Sequence, residues 1–130
     1  MADDRPRDFA DVDRRLREIL EPNRSRLVAA KDGPDGLALE IPGLEGKPWG
    51  YVAGIRHGKR YVSFYLMPVY GRPELLDRVS PELRRRMQGK ACFNFTKVDK
   101  QLFAELARLT ASGFEAYLTA AAEADQSDLR

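Results

Sequence analysis

The sequence predicts an α+β fold: a two-layer sandwich with about four antiparallel strands in one layer, and helices from both chain ends packed on one face of that sheet. Three observations predict it. Apolar residues recur at helical spacing near both ends of the chain. Between them, the segments Tyr51–Arg56, Arg60–Met67 and Ala91–Phe95 alternate at the strand period. His57-Gly58-Lys59 joins the first two of these by a connection short enough for a hairpin, which makes them antiparallel neighbours.

The elements follow in order. Asp8 is a candidate N-cap for a helix whose stripe is Phe9, Val12, Leu16, Ile19 and Leu20. Pro22 ends or kinks it, lacking an N–H and clashing with the preceding turn; Leu27 and Val28 read as a short continuation. Asp32-Gly-Pro-Asp-Gly36 is turn chemistry, and Leu37–Ile41 is a short strand closed by Pro42-Gly43. The Gly- and Pro-rich loop 42–48 leads into the hairpin, whose second strand ends near Pro68, a residue without a ladder donor. Pro73 opens a short helix, and Ser80-Pro81 opens another that Gln88-Gly89 should end. After the strand 91–95, Asp99 caps a helix carrying Leu102, Phe103, Leu106 and Leu109. Ser112-Gly-Phe-Glu115 has capping-box spacing and is expected to open a separate last helix. Residues 1–7 and 124–130 are polar and expected to be flexible, leaving one domain over 1–130.

Size and composition narrow the classes. A chain of 130 residues can bury a working core without disulfides or a structural metal. No apolar run approaches the roughly 18 residues a membrane span needs, and the polar, acidic N-terminus does not read as a secretory signal. A single cysteine, Cys92, allows no internal disulfide and fits a reducing compartment, so a cytoplasmic location is expected. The net charge of +2 hides a segregation: residues 50–100 hold eleven Lys/Arg against four Asp/Glu, whereas 101–130 hold two against five. A basic sheet region can attract anions; it can equally pair with acidic elements packed beside it.

Sorting the strand faces gives the candidate site. Val62, Phe64, Leu66, Ala91, Phe93 and Phe95 form apolar rows that belong under the helices. Their opposite rows carry Tyr61, Ser63, Tyr65, Cys92 and Asn94, with Thr96, Met67, Trp49, Tyr51 and Ile55 expected beside them. Such a face is amphipathic, as ligand and partner surfaces are; a loop, the short helices of 73–88 or a second copy could also cover it. Arg56, His57, Lys59 and Arg60 make a basic hairpin tip, and Arg84, Arg85, Arg86 and Lys90 a second cluster. Together they suit a phosphate or carboxylate; nucleic acid is not the expected partner. Cys92 as a reactive thiol would need a base, and His57 is the sole histidine. Gly89-Lys90 lacks the glycine pattern of a P-loop. With no Cys/His cluster, zinc is not expected; the carboxylates of the first helix are interleaved with arginines that compete for them.

The segments Tyr61-Val-Ser-Phe-Tyr-Leu-Met-Pro-Val-Tyr70, Ser80-Pro-Glu-Leu and Arg86-Met-Gln-Gly-Lys-Ala-Cys-Phe-Asn-Phe95 resemble the YdhG-like family of bacterial domains of unknown function. The resemblance spans most of residues 9–118. It implies a frataxin-like architecture, with helices on one face of an antiparallel sheet and the other face open. It also implies iron handling as one possible role and brings no catalytic residues. The expectation is a non-enzymatic binding domain whose open face takes a small anionic ligand or a protein, with no cofactor or metal, as a monomer or homodimer. The alternatives are a frataxin-like iron-handling protein and an enzyme using Cys92. The candidate ligand-binding residues are Tyr61, Ser63, Tyr65, Cys92, Asn94, Arg56, His57, Lys59, Arg60, Arg86 and Lys90.

Overall fold

Pro22 divides the N-terminal segment as the sequence predicts. In the computed structural model, which describes residues 5–47 and 50–128 (side chains 9–47 and 50–119), helix α1 (Arg5–Leu20) gives way to a 3₁₀ turn over Glu21–Arg26. Since α1 begins at Arg5, Asp8 lies within the helix and is not its N-cap. The chain then forms β1 (Val28–Gly33) and β2 (Gly36–Glu40), a hairpin in which Gly33 faces Gly36 across the expected turn. After the 42–48 loop come β3 (Tyr51–His57) and β4 (Val62–Leu66), joined where Gly58 N donates to Tyr61 O at 2.9 Å. The short helix α2 (Pro68–Gly71), a 3₁₀ turn (Pro73–Arg78) and α3 (Pro81–Arg84) follow. As predicted, Ser80 caps α3, its Oγ accepting from Leu83 N at 3.2 Å. Strands β5 (Met87–Gln88) and β6 (Cys92–Phe95) lead to α4 (Lys100–Asp128), where Asp99 accepts from Leu102 N at 3.1 Å.

Among the described residues the sheet has six antiparallel strands in the order β1-β2-β3-β4-β6-β5, two more than the sequence predicts. Leu27-Val28 was too short an apolar signal to mark β1, an edge strand whose side chains are mostly exposed. The sequence pattern puts Met87-Gln88 at the end of a helix. The helix stops at Arg84 instead, and Gly89 (φ +77°) turns the chain so that Met87 and Gln88 pair with Phe93 and Cys92.

The C-terminal end is one helix, not two. Leu106, Leu109 and Phe114 keep burying along a single stripe, and α4 runs unbroken through Ser112-Gly113. Gly113 is there for proximity: a Cβ would stand 3.1 Å from Pro68 Cβ. The chain ends expected to be flexible divide in the same way. Residues 5–7 and 124–128 are helical, and 1–4 and 129–130 lie outside the described residues.

Helix α1 packs on β3 and β4 and against α4. The Phe95 and Phe103 rings meet edge to face with centroids 4.8 Å apart, fixing α4 over β6 on the same side. The predicted core rows are buried there: Val62, Phe64, Leu66 and Phe93 have no exposed surface. Burying side chains of this size contributes about 1.5–3 kcal/mol each, which locks the strand faces in place. Among the described residues, no helix is long and apolar enough to cross a membrane.

Candidate functional site

The face of the sheet turned away from α1 and α4 is built around Ser63. Cross-strand pairing puts Arg56, Ser63 and Asn94 in one row and Gly54, Tyr65 and Cys92 in the next. Tyr61 stands just before β4, and Gln88 of β5 lies beyond Cys92. Small side chains thus form a floor, with tyrosines two residues to either side of Ser63. The resulting depression has a volume of about 400 Å³ and is lined by Arg56, His57, Gly58, Tyr61, Ser63, Tyr65, Gln88 and Cys92.

These side chains are joined by hydrogen bonds. Ser63 Oγ donates to Asn94 Oδ1 at 2.6 Å, and Cys92 Sγ donates to the same oxygen at 3.3 Å. Asn94 Nδ2 donates to Gln88 Oε1 at 2.8 Å, and Tyr61 Oη donates to that oxygen at 3.1 Å. Tyr65 lies across from Cys92 in the neighbouring strand, and Arg56 acts on its phenol. Burial, reinforced by Cys92, pushes the Tyr65 phenol above its ordinary pKa, and Arg56 works against the rise. Burial also raises Tyr51, with Tyr65 and Cys92 adding to the shift. At neutral pH both phenols are therefore protonated. Ser63 is only 7 % exposed although it lies on the face without helices.

A β-bulge places Tyr51. Leu39 pairs with Ala53 but Glu40 pairs with Tyr51, so Val52 is an extra residue in β3. The alternation changes phase there, which brings Tyr51 and Gly54 to the open face together. Tyr51 Oη lies where a Gly54 Cβ would be, and that Cβ would also approach Leu37 O to 2.6 Å. The same bulge corrects the expectation for Ile55, which pairs with Phe64 and is buried under the helices. Trp49 lies outside the described residues.

The structure brings together Arg56, Tyr61, Ser63, Tyr65, Cys92 and Asn94. Of the other predicted site residues, His57 borders the depression but turns its ring away, and the rest separate from it. His57 pairs with Val62 and turns to the helix side, its Nε2 2.8 Å from Asp13 Oδ1. The period of 2 dictates this, because Arg56 and its neighbour cannot share a face. Lys59 and Arg60 are exposed on the hairpin tip, outside the lining of the depression. Lys90 sits over the Tyr70 ring, 5.6 Å from its centroid. Arg86 reaches the network only through its carbonyl, which accepts from Asn94 N at 2.8 Å. Gln88 was missed, because Gln88-Gly89 looks like a helix end. Reading Gly89 as the turn of a small hairpin would have found it.

For the reactive-thiol alternative, His57 borders the depression that Cys92 lines, but its ring is turned to Asp13, with Nε2 2.8 Å from Oδ1. For metal handling, Asp11 pairs with Arg14, Asp13 with Arg17 and His57, and Glu18 with Arg15. Among the described residues there is no group of three or more His, Cys, Asp or Glu that could hold a metal ion; Asp3, Asp4 and the Asp8 side chain lie outside them. Comparison of the chain with protein-family models, curated proteins and solved structures finds no match.

Proposed function

We propose that this chain is a non-enzymatic binding domain that takes a small anionic ligand in the depression around Ser63. One observation carries the reading: among the described residues the lining holds the guanidinium of Arg56, with His57 at its border, and no carboxylate. A carboxylate or phosphate there would meet a guanidinium and neutral donors with no competing anion. The charge segregation of the sequence points the same way, and the order helix, antiparallel strands, helix agrees with the YdhG-like and frataxin-like resemblance. A cytoplasmic location belongs to the same proposal.

Amide chemical-shift mapping with a mixture of small organic and inorganic anions tests it. Shifts should concentrate on Arg56, Tyr61, Ser63, Tyr65 and Gln88 and vanish in Arg56→Glu. Shifts that are scattered, absent or unchanged in the variant would overturn the reading.

A further inference from the structure

Resting on that reading of the open face, we propose that the ligand is an aromatic monocarboxylate, with its carboxylate on Arg56 and its ring against the tyrosine walls. The first ground is charge. Phosphate esters carry close to two charges and are ordinarily met by several cations or by a helix N-terminus. Here one guanidinium faces the floor, while Lys90 is turned to Tyr70 and Lys59 and Arg60 lie outside the lining. One planar guanidinium matches one carboxylate in a paired, two-bond geometry.

The second ground is the direction of the hydrogen bonds. Asn94 Oδ1 already accepts from Ser63 and Cys92, and Gln88 Oε1 accepts from Tyr61 and Asn94. An amide oxygen has two lone pairs, so both acceptors are filled. What Gln88 still has for a ligand is its amide N–H donors. A ligand that brings acceptors fits these groups, whereas a donor-rich amine would find Arg56 and no carboxylate.

Shape is the third ground. At about 3.4 Å per residue, Tyr61 and Tyr65 stand about 14 Å apart along β4, with Ser63 midway. The volume of about 400 Å³ lies near the small end of ligand sites, which run from roughly 300 to 1,000 Å³. A single ring beside Ser63 would pack against Tyr61, which is partly exposed and already fixed by its hydrogen bond to Gln88.

The test is isothermal titration of the full chain with 4-hydroxybenzoate, cyclohexanecarboxylate and inorganic phosphate, each repeated on Arg56→Gln and Tyr61→Ala. The expected result is measurable binding of 4-hydroxybenzoate, weakened about tenfold by Arg56→Gln. Cyclohexanecarboxylate should bind more weakly, with no further loss in Tyr61→Ala. Phosphate binding that depends on Arg56, with none for 4-hydroxybenzoate, would overturn the aromatic acid and leave the anion reading standing. Equal binding of the two carboxylates would overturn the role of the ring. If none of the three binds and amide mapping with other anions is also blank, both readings fall. Circular dichroism of the two variants, both at partly or fully exposed positions, checks that they remain folded.

Discussion

The two faces of the sheet each hold a polar cluster, and the clusters are built on opposite principles. On the helix side, Asp13 Oδ2 accepts from Arg17 Nε at 2.7 Å and Asp13 Oδ1 contacts His57. Arg17 Nη1 donates to Asp32 at 2.9 Å, Arg17 Nη2 donates to Gly33 O at 2.5 Å and to Gly36 O at 3.2 Å, and Arg24 also pairs with Asp32. Burial works against the charge on Arg17, but its bonds to Asp13 and Asp32 outweigh burial and hold its pKa above the ordinary value. Charges of both signs compensate one another, and the cluster ties α1 to the β1–β2 turn and to the end of β3. Among the described residues, the open-face cluster is made of amides, hydroxyls and a thiol beside the guanidinium of Arg56, with no carboxylate. The first is complete and structural; the second has donors left over for a ligand.

The largest expected effect concerns the backbone beneath the open face. Gly54→Ala drives a methyl into Tyr51 and into the Leu37 carbonyl, and urea unfolding should show a loss of about 3 kcal/mol. Gly33→Ala, where nothing lies within 4 Å of the new atom, should stay within about 0.5 kcal/mol. A mild Gly54→Ala would mean that β2 and β3 can move apart and that Tyr51 is not pinned.

Next comes the contrast between the clusters. Arg17→Ala should cost about 2 kcal/mol, because charge-assisted bonds from a side chain only 24 % exposed are lost. Arg56→Ala should change stability by about 0.5 kcal/mol or less, since this arginine is exposed. Equal losses in chemical denaturation would break the distinction between structural and ligand-directed arginines. Asn94→Ala, which leaves Ser63 and Gln88 without a shared partner, should fall between them at about 1 kcal/mol.

The clusters also differ in pH dependence. Tyr51 and Tyr65 have folded pKa values raised above the ordinary 10.0. Their contribution to stability is complete below pH 10 and is lost as pH climbs through the raised values. Asp32 is lowered by its bonds to Arg24 and then Arg17, so its contribution holds above its ordinary 3.8 and is lost as pH falls through the folded value. Urea midpoints should therefore fall on the alkaline side through the open face, and Tyr51→Phe should flatten that limb. On the acid side Asp32→Asn should flatten the opposite limb by a smaller amount, because Asp32 is solvent-exposed. An alkaline limb unchanged by Tyr51→Phe would show that this phenol is not buried as described.

Much of the site was legible because β4 and β6 alternate without interruption. Tyr61, Ser63, Tyr65, Cys92 and Asn94 needed only the strand period to be placed on one face. Adjacency groups His57 with Arg56, Lys59 and Arg60, whereas the period of 2 turns its ring to the other face. Tyr51 and Ile55 were grouped together because an extra residue in a strand leaves no mark in composition. Gln88 was hidden by a two-residue strand, too short for any periodicity.

By itself the sequence determined the α+β class, the core rows Val62/Phe64/Leu66 and Phe93/Phe95, the turn at 32–36 and the caps at Ser80 and Asp99. Each rests on local patterns of two to eight residues, where side-chain alternation and capping chemistry operate. Only the tertiary structure decided the bulge at Val52, the joining of two predicted helices into α4, the pairing of β1 with β2 and of β5 with β6, and the turning of His57 to Asp13. These depend on which distant segment lies opposite, and that is fixed by burial and backbone pairing summed over the whole chain.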